Sequence, residues 1–510
     1  MNTAEPVETV ITRTEERRVR VSEILRPSRR AELGQFFTPS RAAALIARMP
    51  RLPDSGILRV LDPGAGVGSL TAALVARVLR EAPALQLEVV AVELDHMVAA
   101  HLEETLTDCS DLASSLGSHM TATAITSDII VETTGFGRMF GPLADPFDLV
   151  IMNPPYRKLG ARSADRQALM VDGVNCPNLY CTFLALGALL LKPNGQLVAI
   201  TPRSFANGVY FGSFRRFFLG QMALNWLHVF ESRSTVFADS DVLQENIVFS
   251  ATRQGTPGEV ALSVSRGHTD DASHRMVAYS DIIRPSDPNQ FIHIPAGESD
   301  ASVTMQFSSL PCKLPDLCLE VSTGRVVDFR ARDYLLDHPT HESVPLIYPG
   351  NLREGRVQWP LSIRKAQALV NRPETQKLLL PAGRYVLVKR FSSKEERRRV
   401  VAVVYDPDEI SAAQVGFENH LNVFHSRGRG FEEHLARGLC LWLNSSVVDA
   451  FFRTFSGHTQ VNATDLRSLR YPSREQLIRL SEALGHATWP DQEKIDSLIA
   501  RHVFAWENFR

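Results

Sequence analysis

Between residues 40 and 202 short apolar strands alternate with helices, and no other feature narrows the fold as far. "ILRVLDPG" (57–64), "LEVVAVELD" (87–95), "TATAITSDII" (121–130), "FDLVIMN" (147–153) and "GQLVAITP" (195–202) read as strands. "RAAALIARM" (41–49), "SLTAALVARVLRE" (69–81), "HMVAAHLEETL" (96–106) and "NLYCTFLALGALLL" (178–191) read as helices. Strands that are apolar along their whole length need cover on both faces. Separated by helices, they predict an α/β fold around a mostly parallel sheet.

The alternation fades after residue 265, where "RGHTDDASHR" forms a polar break. Proline-punctuated short strands follow, and "FEEHLARGLCLWLNSSVVDAFFRTF" (431–455) reads as one helix. Three segments are expected. Residues 1–30 are a charged arm or surface helix, 31–265 the first domain and 266–510 a second, mixed α+β domain. A chain of 510 residues is long enough for several cores. Its formal net charge of -2 excludes a protein basic throughout, but not one with a local basic face. The six cysteines form no CxxC pair, so reduced thiols are expected and no metal site. The N-terminus has no apolar signal segment and no run is long enough to span a bilayer. A cytoplasmic protein without a membrane partner is expected.

The chemistry gathers at strand ends. Gly64, Gly66 and Gly68 in "VLDPGAGVGSL" follow a strand and precede a helix, letting backbone approach a ligand. Alone, such a turn serves a dinucleotide, a nucleoside or only a tight corner. No Walker lysine follows, which disfavours a triphosphate. Asp62 ends the first strand, where it can meet the cationic amino-acid end of a ligand. Glu93 ends the second strand and can accept from ribose hydroxyls. Asp128 ends the third. Ligands of open α/β sheets bind at this carboxyl edge. The fourth strand stops on "NPPY", Asn153 to Tyr156, where two prolines forbid a further ladder.

"NPPY" after a Phe-Asp-apolar strand resembles the catalytic motif of S-adenosylmethionine-dependent amino-methyltransferases. "GQFFTP" (34–39) resembles their upstream cofactor motif, and "LDPGAGVGSL" their glycine motif. The motif order is similar to that of gamma-class DNA adenine N6-methyltransferases. "TGRVVDFRARDYL" (323–335), "YPGNL" (348–352) and "FSGHTQVNATDLRSLRYPS" (455–473) resemble the specificity regions of BsuBI/PstI-type modification methylases.

The resemblance implies a Rossmann-like methyltransferase sheet followed by a target-recognition domain. It implies S-adenosyl-L-methionine as cofactor and double-stranded DNA as partner. The product is a methylated exocyclic amino group on a flipped adenine, protecting the host from a cognate restriction endonuclease that is a separate protein. A monomer is the default. Phe36, Phe37, Thr38, Pro39, Asp62, Gly64, Gly66, Glu93, Asp128 and Asn153 are then expected at the cofactor. Asn153, Pro154, Pro155 and Tyr156 are expected at the target base, with rigid acceptors for the amino hydrogens and a stacking ring. Phe211 is a second stacking face and Arg215 a phosphate contact. Lys389, Arg390, His458, Gln460, Asn462 and Arg467 are candidates for DNA contact, the basic residues tracking the backbone. Two alternatives stay open: the same chemistry on RNA or a protein glutamine, and a non-catalytic DNA-binding subunit.

Overall fold

Along the fourth strand, Val150 and Met152 enter one apolar cluster while Leu149 and Ile151 enter another. Period-two side chains buried on both sides need layers on both sides. The computed structural model supplies them. It describes residues 4–25, 34, 36–133, 141–157, 159, 175–230, 246–265, 272–285, 287–294, 303, 306–307, 309–392, 396–455, 460–485 and 488–504. The chain divides into two units, Met1–Ala296 and Gly297–Arg510.

The first unit carries nine strands: β1 (Gly56–Pro63), β2 (Leu85–Glu93), β3 (Met120–Thr126), β4 (Phe147–Met152), β5 (Leu191–Pro202), β6 (Met222–Phe230), β7 (Asn246–Arg253), β8 (Val260–Ser265) and β9 (Ser273–Val277). Their order is β3-β2-β1-β4-β5-β7-β6-β8-β9. The first five are mutually parallel, and β7 runs antiparallel to both neighbours. The chain winds outward from β1 to β3, then returns to place β4 on the other side of β1. That reversal opens a crevice at the carboxyl ends of β1 and β4.

Up to β6 the described helices are α1 (Ala4–Ile24), α2 (Ser40–Ala47), α3 (Ser69–Glu81), α4 (His96–Ser115), α5 (Ile129–Thr133), α6 (Leu179–Leu190) and α7 (Gly212–Gln221). Residues of α1 to α4 cover one face of the sheet, and those of α6 and α7 the other.

Three expectations shift. The third strand ends at Thr126, not 130, because the Asp128 side chain accepts from Ile130 N at 2.9 Å and starts α5. The N-terminal segment is a docked helix. Val7, Val10, Val21 and Leu25 are buried, and Arg17 reaches Glu104 and Asp108 of α4 at 2.9 and 2.7 Å. The first unit also runs past 265, since β9 pairs antiparallel with β8.

The second unit contains β10 (Glu320–Thr323), β11 (Leu335–Leu336), β12 (Ser343–Ile347), β13 (Leu352–Arg353), β14 (Arg356–Val357), β15 (Ala368–Val370), β16 (Leu379–Pro381), β17 (Tyr385–Lys389), β18 (Ala402–Tyr405), β19 (Gln414–Phe417) and β20 (Leu421–His425). They form a six-stranded sheet, β10-β20-β17-β18-β14-β13, and a five-stranded one, β11-β15-β12-β19-β16. Helices α8 (Glu433–Leu443), α9 (Ser446–Phe455), α10 (Ala463–Ser468) and α11 (Arg474–Leu484) follow. The single helix expected over 431–455 is broken at Asn444. Its amide donates to Cys440 O and Ala402 O at 2.9 and 2.8 Å, ending α8. Among the described residues no helix is long and apolar enough to cross a membrane. All six cysteines are free thiols.

Candidate active site

The crevice beside β1 and β4 holds a cavity of about 770 Å³, counting space open to solvent. Its walls include Phe36, Phe37, Gly64, Gly66, Glu93, Asp128, Asn153 and Pro155. Eight residues chosen from sequence, on five separate stretches, thus meet at one site.

Gly66 is the hinge of the glycine turn, with φ at +59°. A Cβ there would lie 3.0 Å from the Phe37 ring, so only glycine admits that ring. The Gly66 amide donates to Glu93 Oε2 at 2.9 Å, and Asp95 N donates to Oε1 at the same distance. Glu93 is 4% exposed, and burial pushes its carboxyl pKa upward against these bonds. Asp128 is spent in part on the start of α5.

Asp62 does not line the cavity. It is 1% exposed, accepts from Thr71 Oγ1 at 2.7 Å through Oδ2, and leaves Oδ1 without a partner. Burial, with Glu93 nearby, raises its pKa to about 7. Thr38, Pro39, Pro154 and Tyr156 do not line the cavity either.

Asn153 is the best-defined polar group. Its Nδ2 donates to Phe36 O at 2.7 Å and to Thr38 Oγ1 at 3.0 Å. A carbonyl only accepts, so the amide cannot be turned over without facing oxygen toward oxygen. Oδ1 is therefore held the other way, buried and unpartnered. The upstream aromatic–Thr motif and NPPY are one hydrogen-bonded assembly. Gly34 closes it: its carbonyl accepts from Tyr156 N at 3.0 Å, and a Cβ on it would sit 3.0 Å from that nitrogen.

The Tyr156 ring tilts against Phe36, centroids 5.7 Å apart, and meets Tyr180 edge-on at 6.3 Å. Burial raises the Tyr156 hydroxyl far above its ordinary pKa, keeping it neutral. Phe211 is 9% exposed and stacks on Tyr180 at 5.9 Å. It extends the aromatic column by one ring.

The expectation that Arg215 meets phosphate does not hold. It is 1% exposed, donates to Phe205 O, Gly208 O and Asn289 O at 3.0, 2.7 and 3.0 Å, and lies over Phe291. Its neighbours Tyr210 and Arg216 are exposed instead.

In the second unit, Lys389 pairs with Glu396 at 2.9 Å and Arg390 donates to Asn419 O at 3.2 Å. Gln460 bridges to Phe391, and Asn462 caps α10 through Asp465. Arg467 donates to Val321 O at 3.1 Å yet remains at the surface. His458 lies outside the described residues. Part of the basic stretch is structural: Arg399 is fully buried, with its Nε on Ser392 Oγ at 3.2 Å.

Sequence reasoning missed Leu179 and Phe183, which line the cavity from α6. Their i, i+4 spacing marks a helix face, but the same spacing marks ordinary core. Leu94, Ile129 and Ile130 also line it: Leu94 directly follows Glu93, and Ile129 and Ile130 follow Asp128.

A family model described as Eco57I restriction-modification methylase matches residues 110–237. The type II methyltransferase M.PstI of Providencia stuartii is 39% identical over 473 residues, 92% of either chain. M.BsuBI of Bacillus subtilis, also a type II methyltransferase, is 38% identical over 466 residues, 89% of this chain and 90% of that one. The structure of the type IIL restriction-modification enzyme MmeI in complex with DNA aligns with a TM-score of 0.57. At 12% identity over 89% of this chain and 71% of that one, it is a likeness of fold. Identity of this extent, across the sheet, the cavity and the second unit together, means that the chain belongs to the type II methyltransferase family of restriction-modification systems.

Proposed function

We propose that this protein methylates the exocyclic N6 amino group of an adenine extruded from duplex DNA, protecting host DNA from a restriction endonuclease. The carrying observation is Asn153 Oδ1, an acceptor held buried and unpartnered at the cavity beside Pro155. A neutral amino group offers hydrogens that such an acceptor can bind. The methyl donor is S-adenosyl-L-methionine, which supplies an electrophilic methyl group when bound. The cavity suits it: Glu93 presents a buried carboxylate for ribose hydroxyls, Asp128 an acceptor for the adenine amino group, and Phe36 and Phe37 apolar walls.

An adenine amino nitrogen is a weak nucleophile because its lone pair is delocalised into the ring. Asn153 Oδ1 and the Pro154 carbonyl each hold one amino hydrogen and favour a pyramidal nitrogen. The bonds from Asn153 to Phe36 O and Thr38 Oγ1 fix that acceptor before the substrate arrives, which is electrostatic preorganisation. The Tyr156 ring stacks on the extruded base. Asp62 serves the donor's amino-acid end indirectly, from beneath the glycine turn.

The second unit recognises the target site, with Lys389, Arg390, Gln460, Asn462, Arg467 and His458 as its DNA-facing set. The protein acts as a monomer, and the cognate endonuclease is a separate protein. Relatives that match over most of their length are methyltransferases, which supports this division and weighs against RNA or protein glutamine as substrate.

The test is unmodified genomic DNA incubated with methyl-labelled S-adenosylmethionine, then digested to nucleosides. Label in N6-methyldeoxyadenosine is expected. Label confined to a cytosine derivative, or no transfer to DNA, overturns the reading.

A further inference from the structure

Two neighbouring residues at the aromatic column have opposite fates. Phe211 faces inward onto Tyr180, while Tyr210 is 85% exposed. Both belong to the turn Val209–Phe211, which is tightly held. Phe211 N donates to Gly208 O at 3.1 Å, and Arg215 donates to the same carbonyl at 2.7 Å. A Cβ on Gly208 would approach the Phe211 ring to 2.6 Å, so the backbone lies directly against it. With Phe211 pinned inward, Tyr210 is presented outward on a fixed base.

Arg216 stands beside it. A Cβ built on Gly212, two residues after Tyr210, would lie 3.7 Å from Arg216 Nη1, so the guanidinium folds over that glycine. Arg216 is exposed and makes no hydrogen bond or ion pair with any described residue. Helix α7, GSFRRFFLGQ, contains no acidic residue to neutralise it. An exposed, preset aromatic ring beside an unpaired guanidinium has the chemistry that nucleic acid demands: a face for a base and a fork for a phosphate.

We propose that Tyr210 and Arg216 form the duplex-contacting lip of the target-base site. Tyr210 stacks on the bases bordering the gap that the extruded adenine leaves, and Arg216 binds a flanking phosphate. The inference rests on the base-extrusion reading above. Tyr210 lies one residue from Phe211, whose ring joins Tyr180 and Tyr156 in a continuous column. A ring there touches the helix immediately next to the vacated position.

The experiment uses the full chain and a duplex carrying its mapped site, with 2-aminopurine in place of the target adenine. Wild type is expected to raise the 2-aminopurine fluorescence on binding. Tyr210→Ala lowers the extruded fraction about 5- to 160-fold, the scale of one lost base–aromatic stack. Tyr210→Phe restores it, and S-adenosylmethionine affinity is unchanged in both. Arg216→Gln reduces the slope of log affinity against log salt by about 1. Tyr210→Ala matching wild type in both fluorescence and duplex affinity overturns the proposal, as does an unchanged salt slope for Arg216→Gln. If wild type itself gives no fluorescence rise, the extrusion reading falls. Without a vacated position Tyr210 has no gap to stack against, so that outcome overturns the lip as well.

Discussion

Truncating Asn153 to alanine separates what that residue does for the fold from what it does for the reaction. The substitution removes the donors to Phe36 O and Thr38 Oγ1, bonds of 2.7 and 3.0 Å. At about 1 kcal/mol net for each, plus about 1–3 kcal/mol if the Phe36 carbonyl stays unsatisfied, stability falls by about 2–5 kcal/mol. The rate suffers separately, because the preset acceptor Oδ1 disappears. Loss of one preorganised hydrogen-bonding group costs about 100- to 1,000-fold in kcat. Cofactor affinity should fall less than about 10-fold, since Glu93, Gly66 and Phe37 remain in the wall. Single-turnover methyl transfer, S-adenosylmethionine calorimetry and thermal unfolding measure the three quantities. Thr38→Val is the control: it keeps Oδ1 but releases one amide bond, and should lose only about 5-fold in kcat, equivalent to ~1 kcal/mol. The reasoning fails if Asn153→Ala turns over within about 10-fold of wild type, or if cofactor affinity drops as far as the rate.

Other perturbations probe the supports of the site. Asp62 in the folded chain keeps its proton up to about pH 7, against an ordinary value of 3.8, so it costs stability as pH rises through that window. Asp62→Asn should therefore raise the melting temperature of the cofactor-free protein at about pH 8 and barely change it at about pH 3.5, below the ordinary carboxyl value. An equal gain at both would contradict the assignment. Glu15 Oε2 accepts from Ser40 N at 3.0 Å, capping α2 from a helix distant in sequence, because Pro39 offers no side-chain cap. Glu15→Ala should cost about 1 kcal/mol and raise KM for the cofactor, with Glu15→Gln recovering most of the loss. Identical kinetics in all three proteins would refute this coupling. Gly34→Ala forces a Cβ against Tyr156 N at φ +67°. It should lose about 1–2 kcal/mol, seen in chemical denaturation, together with transfer activity. Unchanged values would show that Gly34 is not packed against Tyr156 as described.

Much of the first unit was legible because its signals are local. An apolar run broken by Gly-rich or acidic residues announces a strand and its carboxyl end within ten residues of chain. β1, β2, β4 and β5 accordingly lie close to their expected positions, and Gly64, Gly66, Glu93, Asp128 and Asn153 meet at one cavity. The third strand was drawn too long because Ile129 and Ile130 are as apolar as strand residues. Only the capping bond from Asp128 turns them into helix. The second unit was far less legible. Its strands are two to five residues long and pair with distant partners, as Glu320 does with His425. Its surface cations were indistinguishable in sequence from Arg399, which is fully buried.

The sequence by itself determined the parallel sheet, the edge where chemistry gathers and the types of residue placed there, since alternation and strand-end residues are properties of neighbouring positions. Tertiary structure decided which atom of Asn153 is free, because its orientation depends on Phe36 and Thr38, more than a hundred residues earlier. It also decided that Phe211 and Arg215 turn inward while Tyr210 and Arg216 face out. In a run of adjacent aromatics and arginines, composition is symmetric, and Tyr180, Phe291 and the Gly208 carbonyl break the tie.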